Sequence, residues 1–453
     1  MKNLSFRKFL VVAVVLTLLL VASQMIRGVV LDRIQHRDTA QQSIASALAD
    51  PQTLAGPILL IQYVEHMQRP VYGDQGKVVR TEAFIERREK IVLPDSLKLG
   101  GSLHNEMRYR GVFRVNTYLL TGQLATTLQM PRLDELPRHS AEGRVEIESA
   151  RLVVAMSDPR GIRNLSLQQD GQALRTEAGT GMKTLSSGIH APLPDPASLV
   201  GKKLNVRADM TLVGTDSFGM LPLARDTLVA LRADWPHPSF GGRFLPVKRS
   251  VDDKGFEAEW QISGVASQAR QTWENSESRN LQAEHFSVSL IDPVDIYSMS
   301  DRASKYAELF ILLTLGAFLL FELLRRLRLH PLNYLMVGAA LLMFFLLLLS
   351  LSEQIGFGPA YLAASGACVL LIGFYSAHLL RSVWLAGGFT LGLGALYGAI
   401  YVILLSEQNA LLMGSLLLFA LLACVMIGTR KVDWQGLLAS TVPNTSKDAT
   451  QAE

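Results

Sequence analysis

Five apolar runs crowd the last third of this 453-residue chain, and they constrain most of what it can fold into. They are Tyr306–Leu324, Leu332–Leu351, Pro359–Leu380, Trp384–Leu405 and Ala410–Gly428. Each is close to the ~20 residues that a helix needs to cross a hydrocarbon core. Lipid offers no partner to a free backbone N–H or C=O, so such segments must be helices. A sixth run, Phe9 to Ile26, follows Lys2, Arg7 and Lys8. Val21-Ala22-Ser23 offers a small-residue cleavage site, as in a signal peptide. The run is long enough to span, and it reads as an uncleaved anchor. The predicted fold class is a membrane protein with six transmembrane helices, one N-terminal and five C-terminal, plus a large, mainly antiparallel β domain on the outer side.

Composition supports this division. Charged residues make up 19% of the chain, below the soluble average of about 25%. The deficit lies at the ends, while the middle looks soluble. A net charge of +4, with no basic stripe interleaved with aromatics, excludes nucleic acid as a partner. The two cysteines, Cys368 and Cys424, both lie in apolar runs, which excludes a disulfide framework for the middle region. Packing is the expected role of both. The middle region must be held by its own core, and it is long enough for one.

Lys and Arg in the short loops set the orientation. Arg325, Arg326 and Arg328 follow the second helix, Arg381 follows the fourth, and Arg430 with Lys431 follows the sixth. The opposite loops, around Glu353 and Glu407, carry neither Lys nor Arg. Both termini are therefore expected in the cytoplasm and residues 28–303 in the periplasm. Arg27, Arg33 and Arg37 run against the rule, with Lys2, Arg7 and Lys8 competing locally. The domains expected are a cytoplasmic N-terminus with the first helix (1–27), a periplasmic β-rich domain (28–303), a five-helix bundle (304–430) and a disordered cytoplasmic tail (431–453).

The periplasmic region opens with an amphipathic helix, because Leu31, Ile34, Ile44, Ala47 and Leu48 share a stripe that Pro51 ends. Strand signals follow at Ile58–Val64, Phe84–Leu93, Val112–Leu120, Gln123–Gln129 and Arg144–Met156. More come at Leu204–Val213, Thr227–Ala233, Phe256–Ile262 and Phe286–Leu290. Short strands separated by Gly, Pro and Asp predict an antiparallel sandwich or a similar β-rich fold.

Few motifs carry chemistry. Trp235-Pro236-His237-Pro238-Ser239-Phe240 is a Pro-stiffened loop that could present Trp235, His237 and Phe240 to a ligand. Two prolines in four residues are also ordinary turn chemistry, and a turn with its aromatics in the core is the preferred reading. Asp158-Pro159-Arg160-Gly161 could bind an anion through Arg160, but it is also a turn signal. His190 has no partner spacing for a metal site. There is no nucleophile elbow, phosphate loop or dinucleotide fingerprint. Leu351-Ser352-Glu353-Gln354 recurs as Leu405-Ser406-Glu407-Gln408, suggesting a duplicated helical hairpin. Brought together, Glu353 and Glu407 would make an acidic patch facing the outer domain; solvated interface carboxylates are the plainer reading. Gly388, Gly392, Gly394 and Gly398 form small-residue pairs suited to helix packing. No ionisable residue lies near a predicted bilayer midplane, which counts against an ion-coupled pump.

Several segments resemble the CreD family of bacterial inner-membrane proteins. They are Trp235 to Phe240 with Gly242 and Phe244-Leu245-Pro246, Gly255-Phe256 with Trp260, and Asp158-Pro159-Arg160-Gly161-Ile162. Others are Asp292-Pro293-Val294-Asp295 with Tyr297, Arg302-Ala303, Lys305-Tyr306, His330 through Leu335, and Leu351-Ser352-Glu353. The resemblance covers nearly the whole chain. Gln354 departs from it, since His is expected after the Ser-Glu pair; this weakens the idea that the loop titrates near neutral pH. The resemblance implies an inner-membrane protein linked to a two-component regulatory system, envelope integrity and colicin tolerance, with no defined activity. The expected function is envelope maintenance or stress response without catalysis or cofactors, by binding an envelope component through the periplasmic domain. The alternative is a lipid- or solute-handling device built on the helical repeat. The partners expected are membrane lipids and an envelope component or protein.

Overall fold

A computed structural model describes residues 2–72, 78–139, 143–267, 284–292, 295–325, 329–380, 382–406 and 409–430. The chain divides into two compact units, Asp38–Pro293 and the pair Met1–Arg37 with Val294–Glu453. Helix α1 (Lys2–Ala47) is continuous. The anchor and the amphipathic stretch predicted after it are therefore one helix. Pro51, whose ring cannot continue a helix, lies just before the first strand.

The second unit is a sandwich of two eight-stranded sheets. The first sheet contains β1 (Gln52–Tyr72), β2 (Val78–Val92), β5 (Arg144–Met156), β8 (Glu177–Ala178) and β9 (Gly188–Pro192). It is completed by β11 (Ser217–Leu221), β13 (Pro238–Gly242) and β16 (Phe286–Leu290). The second contains β3 (Ser96–Arg110), β4 (Phe113–Gln129), β6 (Ile162–Gln169), β7 (Gln172–Leu174) and β10 (Lys203–Thr215). It is completed by β12 (Asp226–Ala233), β14 (Lys248–Asp252) and β15 (Gly255–Ser263), in the order β14-β15-β12-β3-β4-β10-β6-β7. Most neighbours are antiparallel, as predicted, but β1 with β11 and β3 with β12 are parallel.

The alternation of the strands builds the core. Leu97, Leu99 and Leu103 of β3, Leu120, Leu124 and Leu128 of β4, and Val229 and Leu231 of β12 all point inward. They meet Leu59 and Ile61 of β1 and Leu152 and Val154 of β5. Burying each such side chain contributes about 1.5–3 kcal/mol. β1 is buried on both faces, since Ile58 and Leu60 pack into a second cluster with Val153 and Leu223. That explains why Ile58–Val64 reads as a continuous apolar run rather than an alternating one.

One predicted break is not a break. Gly122 stands in mid-strand, so the segments read as Val112–Leu120 and Gln123–Gln129 form one strand, β4, which begins at Phe113. A Cβ at Gly122 would lie 3.0 Å from the Gly100 carbonyl oxygen. The glycine permits close approach of two strands and does not make a turn.

The first unit continues after α1 with α2 (Ile296–Lys305), α3 (Ala307–Arg325), α4 (Pro331–Ile355), α5 (Phe357–Leu379), α6 (Val383–Leu405) and α7 (Ala410–Thr429). Among the described residues five stretches are long and apolar enough to cross a membrane: Leu10–Ala47, Ile296–Glu322, Pro331–Ile355, Phe357–Leu379 and Val383–Leu405. Leu411–Ile427 is a shorter apolar helix. Gly356, at φ +81°, closes α4 and opens α5, making the tight corner between them. The centre of the bundle is aromatic. Phe310 and Phe344 lie 4.4 Å and 4.7 Å from Tyr397, and the Tyr361 hydroxyl donates to the Tyr397 carbonyl at 2.8 Å. Cys368 is buried there and accepts from the Tyr397 hydroxyl at 3.3 Å. Cys424 is exposed on α7.

Candidate functional site

The Trp-Pro-His-Pro-Ser-Phe segment folds as a turn into β13. The Trp235 indole donates to the His237 carbonyl at 3.2 Å and to the Ile291 carbonyl at 3.0 Å. Phe240 packs edge-on against Phe256 at 5.6 Å and Trp260 at 5.7 Å. His237 is exposed and lies 6.2 Å from the Trp235 ring. Two of the three rings are thus committed to the sandwich, and His237 alone faces solvent.

The Asp158 motif is also a turn. Asp158 caps a short 3-10 helix by accepting from the Arg160 N–H. The Arg160 side chain folds back on the same carboxylate, with Nη2 at 2.6 Å, and also reaches the Ser46 carbonyl. Burial raises the Asp158 pKa, but the Arg160 side chain and the N–H groups of Asp50 and Arg160 outweigh it and hold the carboxyl below its ordinary value. Arg160 is already satisfied, so it ties the end of α1 to the sandwich. His190 is a strap as well, with Nδ1 2.7 Å from the Gly179 carbonyl and Nε2 3.6 Å from Glu177. Among the described residues three other His–carboxylate pairs occur, His36–Asp32, His66–Glu146 and His104–Asp234. None of these four histidines is hydrogen-bonded to a Ser, Thr or Cys among the described residues.

Glu353 lies at the end of α4 in a ladder of ion pairs within the first unit. Arg33 approaches it at 3.5 Å, and the Tyr297 hydroxyl donates to it at 3.3 Å. Arg27 faces Asp301 at 3.6 Å, Arg37 pairs with Asp295, and Lys305 holds Asp301 at 2.8 Å. These are the three arginines that run against the charge rule, and each has an acidic partner at the same end of the bundle. Pairing removes most of the penalty of a charge near lipid. Glu407 lies outside the described residues. The two copies of Leu-Ser-Glu-Gln differ locally, since Glu353 is inside α4 whereas α6 ends at Leu405 and Ser406 is its cap.

One large polar cleft was not singled out by any motif. It is a trough of about 1270 Å³ on the outer face of the second sheet. Strand register brings its side chains into rows. One row runs Glu259, Ala230, Gly100, Gln123, Asp209, Ser166. The next runs Glu257, Arg232, Ser102, Thr121, Thr211, Asn164. A third contributes Lys98, Arg207 and Gln168. Small residues occupy the middle strands, and long polar ones stand on either side. The signal was present as the polar half of each strand's alternation, but only the register shows that these halves converge. Arg232 and Glu257 face each other without closing an ion pair, and Arg207 and Asp209 are likewise unpaired among the described residues. Glu259 is held by Lys248 at 3.2 Å.

A family model described as "Inner membrane protein CreD" matches residues 5–435. The Inner membrane protein CreD of Escherichia coli (strain K12) is 35% identical over 423 residues, covering 92% of this chain and 91% of that protein. Among solved structures, a mutant M1 zinc metallopeptidase from Deinococcus radiodurans aligns with 44% of this chain and 42% of its own, at 11% identity. Its TM-score of 0.23 is too low to support any argument.

Proposed function

The chain belongs to the CreD family of inner-membrane proteins, and from that premise we propose that it is a non-enzymatic protein of envelope maintenance that binds an envelope component through its outer β domain. Its termini stand in the cytoplasm and residues 28–303 in the periplasm. The observation that carries the binding role is the trough, a large polar cleft in which Arg207, Asp209, Arg232 and Glu257 close no ion pair among the described residues. The orientation rests on the Lys and Arg of the short loops, and the pairing of Arg27, Arg33 and Arg37 answers the strongest objection to it.

The test is complementation in cells lacking the protein. The full chain should restore survival under envelope stress. The Arg207→Ala, Asp209→Ala double variant should reach the inner membrane at the parent's level and fail to restore it. Full rescue by the double variant would end this reading.

A second reading, lipid handling by the helices, is favoured by an apolar groove of about 700 Å³ between α3, α6 and α7, lined by Leu312, Gly316, Phe389 and Leu421. In that case a Gly316→Phe variant, whose added side chain starts from open space, would abolish rescue while the trough variant kept it.

A further inference from the structure

We propose that the trough takes an extended, uncharged polyhydroxylated chain, a glycan strand, lying across the middle strands of the second sheet. This rests on the reading that the outer domain binds an envelope component. The first argument is Gly100. Glycine inside a strand weakens it, and such a residue needs a reason. Gly101 and Gly122 have one, because a Cβ at the first would lie 3.0 Å from Leu120 and at the second 3.0 Å from a backbone oxygen. At Gly100 a Cβ would meet nothing within 4 Å. Its side-chain position points out into the trough floor, flanked in its row by Ala230 and Gln123. The fold gains nothing from a bare backbone there, but a ligand resting on the sheet would.

The second argument is charge. The trough carries three cations, Lys98, Arg207 and Arg232, and three anions, Asp209, Glu257 and Glu259. That balance disfavours a polyanion or a polycation. The remaining polar groups, Ser102, Thr121, Gln123, Asn164, Gln168 and Thr211, are neutral donors and acceptors. Carboxylates, amides and guanidinium groups spaced by strand register suit the paired hydroxyls of a sugar. Six strands at about 4.8 Å give a floor of about 24 Å, which accommodates several rings in line. The trough offers no deep apolar pocket for an acyl chain or for the side chains of an apolar peptide. Among the described residues that line it there is no aromatic platform, so affinity is expected to be modest and to rest on hydrogen bonds.

The experiment uses the full chain in lipid nanodiscs, titrated by calorimetry with chitohexaose and maltohexaose, and separately with polyphosphate and an uncharged decapeptide. Saturable binding of a neutral oligosaccharide is expected. A roughly tenfold rise in salt should change its affinity by less than about twofold, because a neutral ligand is not screened. Arg207→Ala with Asp209→Ala should weaken binding by about tenfold or more, as expected for losing hydrogen bonds to charged groups. Gly100→Phe should abolish binding with no loss of thermal stability, since the added ring meets no protein atom at its root. A Gly100→Phe protein that is stable and binds as the parent does would overturn the proposal. So would saturable binding of the peptide or of polyphosphate in place of a sugar. If the trough variant fails complementation while no oligosaccharide binds, the binding role stands and the glycan assignment falls. If it complements fully, both fall.

Discussion

At the rim of the helical bundle Arg27, Arg33 and Arg37 each meet a carboxylate, whereas on the outer face of the second sheet Arg207 and Arg232 stand beside Asp209 and Glu257 without closing on them. The residue types are the same, and the surroundings differ. Asp301 and Glu353 are only 18% and 10% exposed, in a unit built from apolar helices. An unpaired charge is costly there, so pairing follows. The trough is open to water, where an exposed ion pair is worth little and a free charge costs almost nothing. Charges at the rim therefore hold helices together, whereas Arg207, Asp209, Arg232 and Glu257 in the trough close no ion pair among the described residues. If the contrast is real, removing a paired carboxylate should cost stability, and removing an unpaired one should not.

The largest stability loss is expected at Glu65, a paired carboxylate inside the sandwich itself. Its side chain is fully buried, accepts from the His139 N–H at 2.9 Å and faces Arg88 at 3.6 Å. Glu65→Ala strands that N–H and leaves a void, at a cost of about 2–3 kcal/mol. Differential scanning fluorimetry should show the β domain melting about 5–10 °C lower. A variant that melts with the parent would mean that pairing does not mark structural charges here, and the contrast with the trough would lose its basis.

A smaller effect is expected at the rim. Asp301→Ala frees Arg27 and Lys305, and Arg27 is already 38% exposed. The loss should be about 1–2 kcal/mol, less than for a fully buried pair. Adding Arg27→Ala should recover part of it, with a coupling of about 1 kcal/mol in a double-mutant cycle on protein in nanodiscs. Simple additivity of the two substitutions would show that the 3.6 Å approach carries no energy.

The two regions also differed in how far the sequence revealed them. The helices were legible because an apolar run in lipid has one outcome, and Pro331–Ile355 lies close to the stretch read from hydropathy. Strands such as Arg144–Met156 were legible because a half-buried strand must alternate. Val112–Leu120 and Gln123–Gln129 read as two strands because a glycine such as Gly122 marks both turns and close backbone approach, and only the neighbouring strand distinguishes them. The parallel pairs β1 with β11 and β3 with β12 were invisible, since local pattern says nothing about which strands meet. The trough was missed for the same reason: Gly100, Asp209 and Glu259 become neighbours in one row only through register. The rim was half legible. Arg27, Arg33 and Arg37 stood out as a breach of the charge rule, but their partners come from α2 and α4.

The smallest expected effect sets two aspartates of the β domain against each other. Asp158 is held below its ordinary pKa by its hydrogen bonds despite burial, whereas Asp216 is pushed up by burial. For Asp158 the unfolded chain binds its proton first as pH falls. Its stabilisation is therefore complete above the unfolded value of about 3.9 and is lost as pH drops through the lower folded value. For Asp216 the folded chain binds the proton first. Its penalty is absent in acid, grows as pH rises through the unfolded value, and is complete above the raised folded one. Asp158→Asn should therefore lower the melting temperature at pH 7 and cost progressively less toward pH 3. Asp216→Asn should raise it at pH 7, with the gain vanishing in acid. Asn tolerates the left-handed backbone at position 216, where φ is +64°. Melting curves of both variants across that range give slopes of opposite sign if the assignment holds. Slopes of the same sign would mean that hydrogen bonds from Arg160 do not decide the ionisation of Asp158, and that its turn is held by backbone geometry alone.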